Sequence, residues 1–277
     1  MGLSAAFELA KIGLQPELIE ADDRLGGMAA CFDFGDQKIE RYYHFHCTGD
    51  IAFKKILAEL GLKEKLCWRK TKMGFFFNNK LHNWGSVSSV MKFSALSIIS
   101  RFRYLLHLAR CLTISDWHHL DNLTATSWLK KWLGKDGYKI LWNKLFIYKF
   151  FNYSDRISAA WIWSRIKRLG KSRNLLKENL GYLKGGSDEF IKCISNRIQI
   201  LGGKVYLSSK VISIKPNQSG GGEISFGNQT KNYDLIISTI PLPLVGKILK
   251  NGRVKYSLYS KYSNCKSIAC VCVILHL

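Results

Sequence analysis

The chain has 277 residues, of which 47% are hydrophobic, so it is long and apolar enough to fold around a substantial core. This composition excludes an intrinsically disordered chain. Its eight cysteines form no CxxC pair, which excludes a disulfide-stapled scaffold and indicates reduced thiols. No stretch reaches the roughly 18 uncharged apolar residues of a membrane-spanning helix, and the chain does not open with a basic-then-apolar signal pattern. We therefore expect a cytoplasmic protein.

The net charge of +22 is concentrated in the middle of the chain. Residues 63–185 contain 24 Lys and Arg but 6 Asp and Glu. Such a surface attracts anions, among them lipid headgroups, nucleotide sugars and nucleic acids. A solvated, lysine-rich surface without a dedicated ligand explains the same charge. Because no nucleic-acid recognition motif accompanies it, we predict no specific nucleic-acid partner, and an anionic membrane surface stays open as an alternative.

The first elements of the chain have the spacing of a dinucleotide-binding unit. Gly2 to Gly13 is predicted to form a helix with the small residue Ser4 in its first turn, and Glu17 to Glu20 forms the strand after it. In such a unit the helix N-terminus faces a pyrophosphate, and the acid that ends the following strand accepts hydrogen bonds from a ribose. The strand and the first two glycines of a G-x-G-x-x-G motif would precede Gly2, so we expect this unit to be incomplete.

The loop over residues 22–27 is rich in turn residues. Its adjacent glycines, Gly26 and Gly27, allow backbone N–H groups to approach a ligand closely, and Arg24 is suited to pair with a phosphate. Residues 31–46 mix alternating apolar positions with turn residues, which predicts short strands.

The middle of the chain is predicted to be mainly helical. Ile51 to Leu60 has helical spacing, and the segment Gly74 to Leu81 reads as a hairpin with an Asn-Asn turn. Residues 88–166 follow a helical pattern in which Thr124 or Asp121 is the expected N-cap of one helix and Gly134 its expected end.

After a glycine-rich break the pattern alternates again between one helix and several strands. The helix is predicted over residues 188–201, and the strands over residues 204–207, 210–215, 223–226 and 233–239. The last strand, Tyr233 to Thr239, is a near-continuous apolar run of the kind that is buried in a parallel sheet.

Four passages resemble the FAD-dependent amine oxidase family, closest to its protoporphyrinogen oxidase-like branch, with phytoene desaturases and UDP-galactopyranose mutase as more distant relatives. The passages are Gly2–Ala6 with Glu20 and Arg24–Gly27, then Ile39–Phe45, Gly181–Gly186 and Asp234–Pro241. They occur in the family's order and extend through almost the whole chain. Compared with the family, the chain begins at the third glycine of the motif and ends before a late glycine-containing motif, so we expect a protein truncated at both ends.

The resemblance implies an α/β fold, namely an FAD/NAD(P)-binding Rossmann-like domain that lacks its first strand and contains an inserted, mainly helical α+β substrate domain. The first part of the FAD-binding domain is expected over residues 1–45 and the basic helical substrate or cap domain over residues 46–184. The FAD-binding domain resumes over residues 185–250, and residues 251–277 would begin the substrate-domain strands.

The resemblance also implies roles for individual residues. Gly2 and Ser4 would lie at the FAD pyrophosphate, Glu20 at the adenosine ribose, Arg24 at a phosphate, Gly26 and Gly27 beneath the phosphates, Val211 at the adenine, and Thr239 and Pro241 at the closed end of the cofactor site. No general base is evident. His44 and Lys149 are candidate catalytic residues, with a structural histidine and a solvated lysine as competing interpretations. A zinc site could be assembled from His44, His46, Cys47, His118 and His119, but none of their spacings is that of a known ligand pair, so no metal site is predicted.

The implied function is that of an FAD-dependent oxidoreductase that removes a hydride from a C–N or C–C bond of a small or lipophilic substrate. One alternative is a flavin-dependent sugar mutase-like enzyme of polysaccharide biosynthesis. Another is a truncated, non-catalytic fragment whose basic insert binds a membrane or a partner. A polypeptide segment supplied in trans is a further expected partner, and whether the chain alone is an active enzyme stays open.

Overall fold

The computed structural model describes residues 1–174, 177–268 and 271–274. The helices are α1 (Gly2–Lys11), α2 (Ile51–Glu59), α3 (Val87–Lys92), α4 (Ile98–Thr113), α5 (His118–Asp121), α6 (Ala125–Tyr138), α7 (Lys144–Phe150), α8 (Ala159–Lys171), α9 (Gly186–Ile200), α10 (Leu242–Asn251) and α11 (Tyr256–Ser263). The strands are β1 (Glu17–Ile19), β2 (Cys31–Phe34), β3 (Gln37–Glu40), β4 (Leu66–Lys70), β5 (Met73–Phe77), β6 (Lys80–Trp84), β7 (Arg173–Asn174), β8 (Lys177–Leu183), β9 (Lys204–Tyr206), β10 (Val211–Pro216), β11 (Gly222–Phe226) and β12 (Gln229–Tyr233). This mixture confirms the predicted α/β class.

The chain divides into two compact units. Unit 1 comprises residues 1–44, 56–65 and 183–277, and unit 2 comprises residues 45–55 and 66–182. The predicted domain bounds at 45 and 184 lie next to two of the points where the chain passes between units. The return of residues 56–65 to unit 1 has no counterpart in the sequence-based prediction.

In unit 1 a helix and two parallel strands form the predicted nucleotide-binding type of arrangement. Helix α1 packs on α9, and Phe7, Ile194 and Ile198 are buried between them because the two helices present apolar stripes to each other. Strand β1 follows α1 and pairs in parallel with β9, with Leu18 opposite Val205. The carboxyl end of β1 is thereby fixed close to the N-terminus of α1, as in a βαβ unit.

A second sheet in unit 1 is antiparallel. Strands β10, β11 and β12 follow one another in space as in sequence, and Phe226 of β11 is fully buried beneath them. The sequence predicted the first two of these strands within a residue or two of their observed bounds.

Two predicted strand regions of unit 1 are wrong. Strand β12 ends at Tyr233, and the run that follows lies in irregular backbone with Leu235 and Ile237 56% and 52% exposed. An apolar run becomes a strand when a neighbour supplies ladder hydrogen bonds, and in the described part of the chain β1 pairs with β9 alone. Beyond residue 250, the chain forms α11 instead of strands, and residues 264–268 and 271–274 are irregular, while 269–270 and 275–277 lie outside the described residues.

Unit 2 is built around an aromatic core between α4, α6 and α8. Leu129 and Phe146 are fully buried there, and the indole N–H of Trp163 donates a 2.9 Å hydrogen bond to the Cys111 carbonyl oxygen. Trp128 and Trp163 belong to this core, and Trp132, Trp142 and Trp161 pack against it, so these tryptophans serve packing.

The predicted hairpin turn and helix N-cap of unit 2 are confirmed. Asn78 and Asn79 both have positive φ in the two-residue turn between β5 and β6, as a type I′ hairpin requires. Thr124 is the N-cap of α6, and its Oγ1 accepts the N–H of Ser127 at 3.2 Å. Gly134 has the non-helical φ of 79°, so the first helical segment ends there as predicted, and a second segment of α6 continues to the buried Tyr138.

Helices of the described part of the chain lack the combination of length and apolar character that a bilayer-crossing segment requires.

Candidate cofactor site

The N-terminus of α1 offers backbone donors to a ligand. Met1 is its N-cap and makes no side-chain cap hydrogen bond, and the first turn contains no acidic residue. The first N–H groups of a helix have no intrahelical acceptor, and the helix dipole favours an anion at this end. Ser4 lies half-buried in this turn. The arrangement suits a phosphate or pyrophosphate group.

Gly2 and Thr239 meet at this helix end, although 237 positions separate them in the sequence. A methyl group added at Gly2 would lie 3.3 Å from Oγ1 of Thr239 and 3.6 Å from Cδ1 of Leu18. A Cβ atom at position 2 would therefore be in tight contact, and a larger side chain would have to displace Thr239 or Leu18. Two residues predicted to share a ligand are therefore neighbours in space.

Glu20 follows β1 directly and is held by its backbone and side chain. Its N–H donates to the Tyr206 carbonyl at 2.9 Å, and its Oε1 accepts the N–H of Asp22 at 3.0 Å. Within the described residues, Oε2 of this half-buried carboxylate has no hydrogen-bond donor. That oxygen is available to accept hydrogen bonds from the hydroxyl groups of a ribose.

Arg24 is engaged by protein groups. Its Nε lies 3.1 Å from Oδ1 of Asp23, and its Nη1 donates to the Cys31 carbonyl at 2.8 Å. The cavity of about 400 Å³ beside it is lined by acids and bases in balance, which are Asp23, Asp33, Asp188, Arg24, Lys38 and Lys192. The role of Arg24 as a phosphate ligand stays a prediction. The balanced charges of the lining give this cavity no preference for anions.

The two loop glycines differ sharply in their surroundings. Gly26 has φ 114°, and a Cβ atom there would lie 2.4 Å from Cδ1 of Ile191 and 3.0 Å from the backbone nitrogen of Ala30. Gly27 has φ 58° and has open space around its Cα atom. Gly26 is thus required by the packing of the loop on α9, whereas Gly27 leaves the backbone accessible.

Val211 and Pro241 occupy ends of elements. Val211 opens β10, opposite Phe226, and Pro241 is the N-cap of α10, two residues after Thr239. Pro241 therefore shares the segment that approaches Gly2, while the predicted contact of Val211 with an adenine stays a prediction.

A carboxylate that the sequence analysis did not single out organises the N-terminus of α9. Oε1 of Glu40 accepts the backbone N–H of Ser187 at 2.8 Å, and Oε2 lies 3.1 Å from Nδ1 of His44. Burial favours the neutral acid, but the hydrogen bonds from Ser187 and His44 outweigh it and hold the pKa of Glu40 below its usual range. His44 is thus tied to a helix-capping carboxylate, which is the structural role weighed against catalysis. The available signal in the sequence was an acidic residue, Glu40, together with the helix start at Gly185-Gly186-Ser187.

A second unforeseen cluster centres on Glu17. Its Oε2 accepts hydrogen bonds from the Tyr233 hydroxyl at 2.6 Å and from Nζ of Lys231 at 3.1 Å, and Lys231 also donates to the Tyr206 hydroxyl. Burial opposes ionisation, yet these donors lower the pKa of Glu17. The cluster joins β1, β9 and β12 and is structural.

Lys149 lies in unit 2. Its exposed ammonium group stands 5.6 Å from the centre of the Trp161 ring. This placement is that of a solvated lysine with a cation–π contact.

Comparison with known families and sequences gives a consistent result. The family model described as "Flavin containing amine oxidoreductase" matches residues 2–277. The 15-cis-phytoene desaturase of Narcissus pseudonarcissus is 25% identical over 241 residues, which are 79% of this chain and 41% of the desaturase. The chain therefore spans about two fifths of the length of the curated relatives that it matches.

Solved structures resemble the chain in fold. An oxidoreductase from Methanosarcina mazei is similar with a TM-score of 0.67 and 15% identity, over 94% of this chain and 61% of that one. Cyclohexylamine oxidase from Brevibacterium oxydans is similar with a TM-score of 0.60 and 15% identity, over 89% of this chain and 57% of the oxidase. At these identities the likeness establishes the fold.

Proposed function

The chain belongs to the flavin-containing amine oxidoreductase family, and from this membership we propose that unit 1 binds FAD and that the protein removes a hydride from a C–N or C–C bond of a small or lipophilic substrate. FAD is the cofactor of the family, and when bound it supplies the acceptor for the hydride. The observation that carries the proposal is the contact of Gly2 with Thr239 at the uncapped N-terminus of α1.

Different residues of unit 1 would bind different parts of the cofactor. The N–H groups of the first turn of α1, with Ser4, would bind the pyrophosphate, because that helix end carries no competing acid. Glu20 would accept hydrogen bonds from the adenosine ribose through its free oxygen. Gly27 leaves room for a phosphate beside the backbone, and the segment Thr239–Pro241 would close the site.

FAD binding tests this proposal directly. Flavin fluorescence is followed while FAD is titrated with the wild-type chain and with Gly2→Val, which places extra atoms against Thr239 and Leu18. We expect the wild type to bind and to retain flavin through gel filtration, and Gly2→Val to bind at least about tenfold more weakly.

The control variant is Gly49→Val in unit 2, where an added Cβ lies 3.8 Å from the nearest side-chain atom, an ordinary contact. It should bind FAD like the wild type. A folded wild-type chain that does not bind FAD would overturn the proposal, and so would equal affinities of wild type and Gly2→Val.

The substrate class is tested with the flavin-loaded protein under anaerobic conditions. Loss of visible flavin absorbance on addition of a primary amine supports C–N oxidation, and the same loss with a polyunsaturated hydrocarbon precursor supports C–C desaturation. A UDP-sugar that is isomerised without net oxidation would support the sugar mutase alternative instead.

A membrane-surface partner is supported by one helix of unit 2. Ile98, Ile99, Phe102 and Leu106 of α4 are 59–68% exposed and lie along one side of the helix, in the segment where the positive charge is concentrated. An apolar stripe flanked by cations is typical of a helix that lies in a membrane interface. Such contact would make an otherwise cytoplasmic protein membrane-associated. Sedimentation with anionic but not zwitterionic vesicles, reduced by Phe102→Ser, is the expected result.

Further polypeptide as a partner is supported by the exposed apolar run after β12. Leu235 and Ile237 are more than half exposed, and β1 has a second edge to which the described residues add no strand. Apolar side chains beside an open strand edge favour pairing with another strand. A protected backbone amide pattern over residues 235–240 in the isolated chain would contradict this proposal.

A further inference from the structure

Unit 2 contains a cleft of about 350 Å³ between α4, α5 and α6. Its apolar walls are formed by Ile114, Leu120, Leu123, Trp128 and Trp132. Small-molecule sites are commonly clefts of this size with mostly apolar walls. The cleft can therefore accept an apolar body roughly as large as a medium-length alkyl chain.

The walls of the cleft are held rigidly by the core. Leu120 and Trp128 are buried members of the aromatic core, and the ring of His107 packs edge-on against Trp128 at 4.5 Å between ring centres. Burial lowers the pKa of His107 to about 4, so this ring is neutral at pH 7 and leaves the apolar character of the wall intact. A preformed site of this kind loses little free energy to reorganisation on binding.

The polar part of the lining is basic. Arg110, His119 and Lys131 line the cleft, whereas its lining contains no acidic residue. In the described part of the chain, neither Arg110 nor Lys131 forms an ion pair, and Arg110 donates a single 3.3 Å hydrogen bond to the Thr113 hydroxyl. Two cations at the edge of an apolar cleft favour a ligand with an anionic head, which guanidinium groups bind through charge-assisted hydrogen bonds.

We propose that this cleft binds an amphiphilic carboxylate, with its apolar tail between Trp128 and Leu123 and its carboxylate at Arg110 and Lys131. The complementarity of both parts selects this class. Arg110 and Lys131 would repel a cationic ligand, and a neutral alkane would form no charged hydrogen bond with them.

Isothermal titration calorimetry of the full chain with decanoate, below its micelle concentration, tests the proposal. We expect saturable binding of decanoate and none of decyltrimethylammonium. Arg110→Gln and Lys131→Gln should each weaken binding about tenfold, since each removes one charged hydrogen-bond donor. Lys135→Gln, four residues after Lys131, beyond the interruption at Gly134 and outside the cleft lining, is the control and should bind like the wild type.

Leu123→Glu provides a second test at a side chain that is 43% exposed, so the fold tolerates the change. Its carboxylate would lie in the part of the cleft that holds the apolar tail and would add a negative charge to the lining, so it should abolish decanoate binding. Equal binding of decanoate and the cation would overturn the proposal, as would wild-type affinity in both Arg110→Gln and Lys131→Gln. If these two variants lose binding to anionic vesicles while the wild type does not bind decanoate, the basic residues serve a lipid surface and the cleft proposal fails.

Discussion

Gly26 is a position where one methyl group should destabilise unit 1 strongly. Its backbone has φ 114° and ψ −19°, and an added Cβ would lie 2.4 Å from Cδ1 of Ile191 and 3.0 Å from the backbone nitrogen of Ala30. The Ile191 side chain can rotate away, but the backbone of Ala30 is fixed by the 3₁₀ turn that follows Gly26. The change Gly26→Ala therefore combines backbone strain with a steric clash.

The neighbouring residue Gly27 allows the free-energy cost of backbone strain to be separated from that of the steric clash. Gly27 also has positive φ, yet an added Cβ there meets no atom within 4 Å. Gly27→Ala should cost about 1 kcal/mol of unfolding free energy for the left-handed backbone alone. Gly26→Ala should cost about 3 kcal/mol, because overpacking adds roughly 1–3 kcal/mol to the strain.

Urea denaturation of the two variants measures this difference. The double variant Gly26→Ala with Ile191→Val removes the methyl group that clashes, so it should recover about 1 kcal/mol relative to the sum of the single changes. Equal destabilisation by Gly26→Ala and Gly27→Ala, or strict additivity in the double variant, would show that a Cβ atom at Gly26 does not clash with Ile191 and Ala30.

Two further predictions concern stability. Glu17→Gln should lower the unfolding free energy by about 2 kcal/mol at pH 7, because two donors lose a charged acceptor. The pKa of Glu17 is lowered in the folded state, so its contribution is present above the unfolded value of about 4.3 and is lost as the pH falls through the folded value. Urea titrations of wild type and variant should therefore converge in acid, and a constant gap would contradict the assignment. Leu129→Ala in the unit 2 core should cost about 2–5 kcal/mol, whereas the exposed Leu145→Ala should change the urea midpoint little; similar midpoints for both would show that this core is misassigned.

Local features of the fold could be predicted from the sequence because their causes lie within a few residues. The Asn78-Asn79 turn and the Thr124 cap depend on backbone preferences and on a hydrogen bond three residues away. The resemblance of two passages to one family assigns Gly2 and Thr239 to one cofactor site, and the fold places the two residues side by side; their role in holding the cofactor stays a prediction.

Features that depend on distant partners were not predicted. Glu17 and Lys231 are 214 residues apart, and Glu40 and Ser187 are 147 apart, so neither pairing leaves a local pattern. The apolar run after Tyr233 likewise depends on a partner that the local sequence does not reveal. Its composition predicts a buried strand, but burial requires a neighbouring strand that the described residues do not provide.

The binding of the FAD adenosine ribose by Glu20 is tested by comparing the affinities of FAD and FMN in the wild type and in Glu20→Gln. FMN lacks the adenosine ribose, and Gln keeps the hydrogen bond that Oε1 of Glu20 accepts from Asp22. We expect Glu20→Gln to weaken FAD binding about tenfold and to leave FMN binding unchanged. An equal effect on both flavins, or no effect on FAD, would contradict the placement of the dinucleotide at the end of β1.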